Sequence, residues 1–209
     1  QGDDGTALVM AVIFAAMLFT AGLSWKYILP VAAMIPPAAI VAWNFLLDDD
    51  KKNRILAVID PTLVEAADSW QQQRGLISIG NGGLWGNGVF METGQFRYVP
   101  EVYNDFIFTY IGETVGFIGC LAVLLVLAFL CIRILSNGLR APDDLGKYIC
   151  VGVFAMIGIQ IIINIGMCLG MMPVIGVTLP FLSAGGTSTG TLYLAIGVVL
   201  SVYVHSGKD

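Results

Sequence analysis

Residues 106–132 form an apolar run that is interrupted by a single charged residue, Glu113. A helix needs about 20 apolar residues to cross the ~30 Å hydrocarbon core of a membrane. Four other runs reach or approach that length, at 7–23, 27–47, 148–172 and 187–204. Lipid requires every backbone polar group to be satisfied internally, which a helix achieves. The sequence therefore predicts an all-α polytopic membrane protein with about five transmembrane helices.

The composition agrees, since 57% of the 209 residues are hydrophobic and 12% are charged. Soluble domains carry about 25% charged residues. The first run follows acidic residues and is soon followed by a second run, which is not the pattern of a cleaved signal peptide.

Basic residues suggest an orientation, although a five-helix arrangement places equal numbers of them on the two sides. One set lies in short connections: Lys26, Arg133, Arg140, Lys147 and Lys208. The other lies in one long, acidic loop: Lys51, Lys52, Arg54, Arg74 and Arg97. Long loops contribute little to the positive-inside rule. We therefore expect the short connections in the cytoplasm and the loop 48–105 outside.

Three carboxylates lie at the mouth of, or inside, the run 106–132: Glu101, Asp105 and Glu113. An ionisable group at bilayer depth costs roughly 2.5–3.5 kcal/mol on insertion scales and is a functional candidate by default. A helix that began near Pro100 would place Glu101 and Asp105 on one face. The alternative is that Glu101 is solvated in a loop and Glu113 pairs with a neighbouring helix.

Two segments combine glycine or proline with apolar residues. Residues 172–188 contain helix-stopping prolines and glycines but are too apolar for a free aqueous loop. We expect them to dip back into the helix bundle and line a cavity near the outer face, the alternative being an apolar external turn. Residues 79–88 are Gly-rich but lack dinucleotide and P-loop spacing. The GxxxG spacings, such as Gly112–Gly116, fit close helix packing within the chain.

The sequence does not support a metal site, a Ser-His-Asp triad or nucleic-acid binding. No pair of the four cysteines has metal-ligand spacing, and the best reading is buried free thiols. A single histidine, His205, argues against a zinc site and a Ser-His-Asp triad. The formal net charge of −5 and the lack of a basic stripe argue against nucleic acid.

Seven segments occur in the order found in one family of membrane enzymes. They are residues 1–6, 21–25, 54–61, 79–88, 100–108, 111–116 and 164–183. Residues 1–6 are similar to Gln-Pro-Asp-Leu-Gly-Thr, and residues 100–108 to Pro-Glu-x-His-Thr-Asp-Phe-Ile-Phe. On these segments the chain resembles the SEDS proteins (the RodA, FtsW and SpoVE group), polytopic peptidoglycan glycosyltransferases of bacteria. The chain corresponds to the second half of a family member with about ten spans.

The resemblance implies polymerisation of lipid II at the outer face of the bacterial cytoplasmic membrane, with release of undecaprenyl pyrophosphate. It places the family's essential aspartate on Asp105, and it implies a class B penicillin-binding protein as partner. The chain departs from the family at Tyr103-Asn104 in place of His-Thr and at Asn87 in place of a lysine. It also departs at Arg74, Arg97 and Ala184.

We expect an inverting transfer in which Asp105 is the general base. Arg54, Arg74 and Arg97 are candidates to bind pyrophosphate, unless they are solvated or paired with the loop's acids. The other candidate substrate-binding residues are Glu101, Glu113, Ser183, Gly185 and Gly186. No cofactor is firmly implied, although a divalent cation could bridge Asp105 and pyrophosphate. An apolar groove between spans would hold the prenyl tail.

Two other functions fit the sequence less closely. The interrupted segment 172–188 (the late segment) and Glu113 fit a lipid flippase or transporter. The departures around Asp105 fit a catalytically silent scaffold for a cell-wall transpeptidase.

Overall fold

The computed structural model describes residues 4–60, 62, 66–88 and 99–206, without the side chains of 66–68. Within these ranges the chain forms seven α-helices and no strand. The helices are α1 (Asp4–Thr20), α2 (Trp25–Val41, continued by a π-helical turn, Ala42–Leu46), α3 (Asp49–Ile59), α4 (Ala66–Gly82), α5 (Ile107–Leu139), α6 (Asp144–Cys168) and α7 (Gly186–Ser206). The predicted all-α class is confirmed.

Four helical segments among the described residues are long and apolar enough to cross a membrane. They are Trp25–Leu46, Ile107–Leu139, Asp144–Cys168 and Gly186–Ser206. Helix α1 is apolar but has 17 residues, at the short end of what spanning requires. These five segments overlap the five apolar runs of the sequence.

Helices α5 and α6 form the centre of the bundle, and α1, α4 and α7 pack around them. The core around α5 and α6 includes Phe106, Leu127, Cys168 and Leu179, which are all buried. The four cysteines are buried free thiols, as predicted. In contrast, no side chain of α2 is buried. Its apolar surface therefore faces outward, as expected of a helix in contact with lipid.

The predicted long loop contains two helices, α3 and α4, and the second runs beside α5. A Cβ atom added at Gly75 would lie 3.2 Å from the Phe106 ring, and one at Gly82 would overlap the carbonyl of Gly112. The two helices thus run parallel, and α4 descends along the first turns of α5. The sequence did not predict the packing of α4 against α5, because the polar residues of α4 resemble those of a surface loop.

Helix α5 is interrupted at Gly116, whose φ of 73° and ψ of −168° lie outside the helical region. In a continuous helix the N–H groups of Phe117 and Ile118 would bond to the carbonyls of Glu113 and Thr114. Here the Gly-rich loop, residues 83–88, supplies a partner to each of these four groups. The bonds are Phe117 N–H to Gly83 O (2.9 Å), Ile118 N–H to Leu84 O (3.2 Å), Asn87 N–H to Glu113 O (2.9 Å) and Gly88 N–H to Thr114 O (3.0 Å).

These four hydrogen bonds from the Gly-rich loop satisfy backbone groups that lipid could not satisfy. Each such group would cost several kcal/mol if it were left unpaired. It also needs close backbone contact. A Cβ atom at Gly86 would overlap the Thr114 carbonyl, and one at Gly116 would lie 2.7 Å from the Leu84 carbonyl oxygen. The GxxxG pair of α5 therefore packs within the chain, as predicted, with α4 and the Gly-rich loop as its partners.

We expect Gly116→Ala to destabilise the bundle. A non-glycine residue in this backbone region costs about 1–3 kcal/mol before any steric overlap is counted. Thermal unfolding of the purified protein in detergent should show a clear fall in the midpoint. The matched control is Gly158→Ala in α6, where an added Cβ meets nothing within 4 Å. Equal melting of the two variants would contradict this account of the insertion.

Candidate functional site

The residues before α5 form a turn and are not helical. The helix begins at Ile107, close to the start of the predicted run 106–132, and not near Pro100. Glu101 has a positive φ of 52°. Its carbonyl accepts hydrogen bonds from the N–H groups of Asn104 (2.9 Å) and Phe106 (3.3 Å). The chain thus turns sharply between Glu101 and Phe106 and places Asp105 just before the N-terminal end of α5.

Asp105 is fixed through its backbone by a buried amide on α6. Asn164 is fully buried, and its Nδ2 donates to the Asp105 carbonyl at 2.7 Å and to the Val177 carbonyl at 2.7 Å. One side chain therefore joins the turn before α5, helix α6 and the late Pro/Gly segment. The late segment folds back against α6, as the sequence predicted.

Ser183 strengthens the same junction. Its hydroxyl donates to the Asn104 carbonyl at 2.6 Å and accepts from the Leu179 N–H at 2.8 Å. The next N–H, of Ala184, donates to the Tyr103 carbonyl at 2.8 Å. Ser183 thus holds the late segment against the turn, and its predicted contact with substrate stays a prediction. Gly185 and Gly186 lie at the start of α7.

The carboxylate of Asp105 faces Gly176, in the middle of the late segment. A Cβ atom added at Gly176 would lie 3.4 Å from Oδ2 of Asp105, and the φ of Gly176 is +71°. Gly176 also lines two cavities. A glycine at this position lets the backbone approach the carboxylate. Asp105 thus lies beside a residue that lines both cavities, although it is not itself among their described lining residues.

One of these, the cationic cavity, has a volume of about 690 Å³ and is lined by Asp4, Leu46, Leu47, Lys51, Arg54, Ile55, Pro173, Ile175 and Gly176. Arg54 Nη1 donates to the Val174 carbonyl at 3.1 Å, which orients its guanidinium. Lys51 pairs with Asp4 at 2.8 Å. Among the described residues, Arg54 is thus the one predicted arginine that lines this cavity, and Lys51 is a residue that the sequence analysis missed.

The other, the hydroxyl cavity, has a volume of about 390 Å³. Its polar lining consists of Thr6, Gln160, Thr178, Thr187, Ser188 and Thr191. Val9, Met10, Ile13, Met156, Val177, Leu192 and the two glycines Gly5 and Gly176 complete it. Among the described residues that line it, none is charged.

The other two arginines give a different result. Arg74 lies over the Trp70 ring, with its Cζ 5.5 Å from the ring centroid, and is absent from the described lining of both cavities. Arg97 lies outside the described residues. Their binding of pyrophosphate stays a prediction.

Glu113 is only 1% exposed and accepts a hydrogen bond from the Ser78 hydroxyl. It lies beside the interruption of α5, and the described lining of the two cavities does not include it. The arrangement is the one that the sequence analysis gave as the alternative, in which Glu113 pairs with a neighbouring helix. Asn87, in place of the family's lysine, lies in the Gly-rich loop at the same interruption.

Burial raises the pKa of Asp105 above its ordinary value, and the nearby negative charge of Glu101 raises it further. A carboxylate with a raised pKa binds a proton more readily than a solvated one and is therefore a better base. In the part of the chain that the structure describes, no group of three or more His, Cys, Asp or Glu side chains could hold a metal ion.

Comparison with known proteins agrees with these features. The chain is 34% identical to the peptidoglycan glycosyltransferase MrdB of Escherichia coli (strain K12) over 210 residues, which cover 98% of this chain and 56% of that protein. It is 36% identical to the stage V sporulation protein E of Bacillus subtilis (strain 168) over 206 residues, covering 99% of this chain and 56% of that protein.

A solved structure also matches, with a TM-score of 0.79 and 26% identity over 99% of this chain and 57% of the other. It concerns the coordination of polymerization and crosslinking by a peptidoglycan synthase complex. The chain thus spans about half the length of the relatives that it matches. The model of the FtsW/RodA/SpoVE family, described as cell cycle proteins, matches residues 1–208. The chain belongs to the FtsW/RodA/SpoVE family.

Proposed function

We propose that this chain provides the catalytic carboxylate of a peptidoglycan glycosyltransferase, which polymerises lipid II at the outer face of the bacterial cytoplasmic membrane. The observation that carries the proposal is the position of Asp105, a half-buried carboxylate beside Gly176, which lines both the cationic cavity and the hydroxyl cavity. The similarity to the glycosyltransferase MrdB supports the reaction class.

In the proposed reaction Asp105 removes the proton from a sugar hydroxyl as that oxygen attacks the anomeric carbon of a lipid-linked donor. A new glycosidic bond forms with inversion while the bond from the anomeric carbon to the pyrophosphate oxygen breaks. Undecaprenyl pyrophosphate leaves with the bonding electrons. A positioned base contributes about 10²–10⁴ in rate.

The leaving pyrophosphate requires positive charge close to the base. Lys51 and Arg54 line the cationic cavity, and Arg matches phosphate oxygens with paired N–H groups. Donation from Arg54 to the Val174 carbonyl uses one N–H group of its guanidinium, and the residue also lines the cavity. These two cations are therefore the groups that would stabilise the developing charge.

The prenyl tail requires an apolar surface. A groove of about 560 Å³ lies between α5 and α7 and is lined by apolar side chains, including Leu127, Phe181 and Leu182, with Arg133 also present. Phe181 belongs to the late segment that also carries Gly176. The groove is therefore our candidate for the tail. A class B penicillin-binding protein is the proposed partner, in keeping with the synthase complex that the fold matches.

The transporter alternative depends on Glu113 as part of a pathway. Its 1% exposure and its hydrogen bond from Ser78 give that alternative no support. Assays with purified lipid II separate the two functions: glycan strands indicate an enzyme, and lipid scrambling without strands indicates a transporter.

We expect Asp105→Asn to reduce polymerisation of purified lipid II by about 10²–10⁴, because the amide cannot accept the proton. The fold should persist, since Asn164 bonds to the backbone carbonyl of this residue and not to its side chain. Glycan strands are measured by gel after reconstitution in nanodiscs. The control is Asp144→Asn, which should retain activity because Asp144 is the first residue of α6, at the end of the helix opposite Asn164. Near-normal polymerisation by the Asp105 variant would exclude its role as base.

Glu101→Gln should shift the acid limb of the pH–rate profile to lower pH. The rate rises as Asp105 ionises, and the negative charge of Glu101 contributes to its raised pKa. Removing that charge lowers the pKa, so Asp105 remains ionised at lower pH. Initial rates between pH 4 and 8 test this prediction, with Asp144→Asn as the control whose limb stays in place. A limb that moves to higher pH would contradict the proposed coupling.

Arg54→Ala should raise the KM for lipid II by about 10–100-fold, the loss expected for a hydrogen bond to a charged group. Arg54→Lys should recover part of this loss because it keeps the charge but not the paired donors. The control is Lys52→Ala, since Lys52 lies on the same helix, pairs with Asp49 at 3.7 Å and is outside the described lining of the cationic cavity. Equal KM values for the two alanine variants would argue against a pyrophosphate site at Arg54.

A further inference from the structure

The apolar groove between α5 and α7 ends at a cation that a substrate tail does not use. The groove has a volume of about 560 Å³, and Arg133 is the only charged residue in its described lining. Arg133 is exposed and forms no ion pair with any of the described residues. A prenyl tail is an uncharged hydrocarbon, so it would leave this guanidinium without a partner.

Arg133 lies at the end of the bundle away from Asp105, at the level of lipid headgroups. From Ile107 to Arg133 a straight helix rises about 39 Å. The hydrocarbon core of a membrane is about 30 Å thick, or about 40–45 Å with its headgroup regions. With Asp105 at one boundary, the Arg133 guanidinium therefore belongs to the headgroup region of the opposite leaflet. Arginines in this region attract anionic lipids.

The length of the groove matches one layer of acyl chains. Its α5 wall runs from Ala122 to Arg133, which is about 16 Å at the helical rise. One leaflet supplies half of the hydrocarbon core, or about 15 Å. Leu127 is buried within this wall, and the rest of the described lining is aliphatic or aromatic apart from Arg133. A chain attached to a headgroup at Arg133 would therefore follow the groove along its whole length.

The other end of the groove has an aromatic wall that the backbone holds in place. Phe181 belongs to the late segment, which contacts the turn that carries Asp105. Its φ is +67°, in a region that bulky residues rarely adopt. Its ring meets the Tyr193 ring edge-on, with the centroids 5.9 Å apart. Such a backbone conformation persists only where the surrounding structure fixes it, so this end of the groove is a formed wall.

We propose that the groove between α5 and α7 binds an anionic phospholipid of the leaflet opposite Asp105. The lipid phosphate pairs with the Arg133 guanidinium, whose paired N–H groups match phosphate oxygens, and one acyl chain lies along the groove. A zwitterionic lipid fits less well because its own cation competes with Arg133 for the phosphate. A substrate tail that entered the same groove would displace this lipid, so the two would occupy the groove in turn.

The probes are phosphatidylglycerol, which is anionic, and phosphatidylcholine, which is zwitterionic, with the same acyl chains. They are added in equal amounts to the purified protein in detergent, and intact protein–lipid complexes are counted by native mass spectrometry. The first lipid bound to the wild-type protein should be phosphatidylglycerol by about fivefold, the preference expected for one arginine near a membrane surface.

Two variants remove the two parts of the site, and each has a matched control on α5. Arg133→Gln removes the cation and should abolish the preference, whereas Arg140→Gln should bind like wild type because Arg140 is outside the described lining. Val126→Trp fills the groove and should also abolish the preference. Its control is Leu125→Trp, since Leu125 is 61% exposed and Val126 67%, but only Val126 lines the groove.

All four positions are exposed, so the variants should melt like the wild-type protein. Equal binding of the two lipids by the wild-type protein would reduce the groove to ordinary lipid contact and overturn the proposal. Retention of the preference in Arg133→Gln or in Val126→Trp would overturn it as well, as would its loss in both controls. None of these measurements uses lipid II, so the result is independent of whether the chain supports polymerisation.

Discussion

A single buried amide, Asn164, holds together the parts of the chain that meet at the candidate site. It donates to carbonyls of Asp105 and Val177, which belong to two irregular segments with no helical partners of their own. Without it, the Val177 carbonyl would lose its amide donor and the Asp105 carbonyl would keep only the weak Cys168 thiol donor at 3.8 Å, in an interior where an unpaired polar group costs several kcal/mol. The position of the Asp105 carboxylate and the path of the late segment therefore depend on the same side chain.

The interruption of α5 follows the same rule at another place. Gly116 leaves two N–H groups and two carbonyls without helical partners, and the Gly-rich loop bonds to all four. Irregular backbone occurs at membrane depth only where protein or water satisfies it. Helix α4 and its loop are therefore packed against α5 as part of the bundle, although their polar residues resemble a surface segment. Glu113 and Ser78 pair across this junction.

Apolar run length, a local signal, was sufficient to predict the five long apolar helices. The position of Asp105 at the membrane boundary marked it as a candidate, and its role stays a prediction. Sequence patterns were also sufficient for the folding back of the late segment, since apolar residues with Pro and Gly cannot remain exposed. They did not predict the turn with positive φ at Glu101 that precedes α5. They also missed Lys51, whose position in the cationic cavity depends on which distant residues lie beside it. The orientation of the bundle across the membrane stays a prediction.

The order of synthesis gives the interrupted helix an advantage. The Gly-rich loop leaves the ribosome before α5, so its N–H and carbonyl groups already exist when Gly116 is added. Helix α5 can thus enter the bilayer beside the Gly-rich loop, whose backbone supplies the hydrogen bonds missing at Gly116. It does not depend on a segment that is synthesised later. The reverse order would expose a broken helix to lipid during insertion.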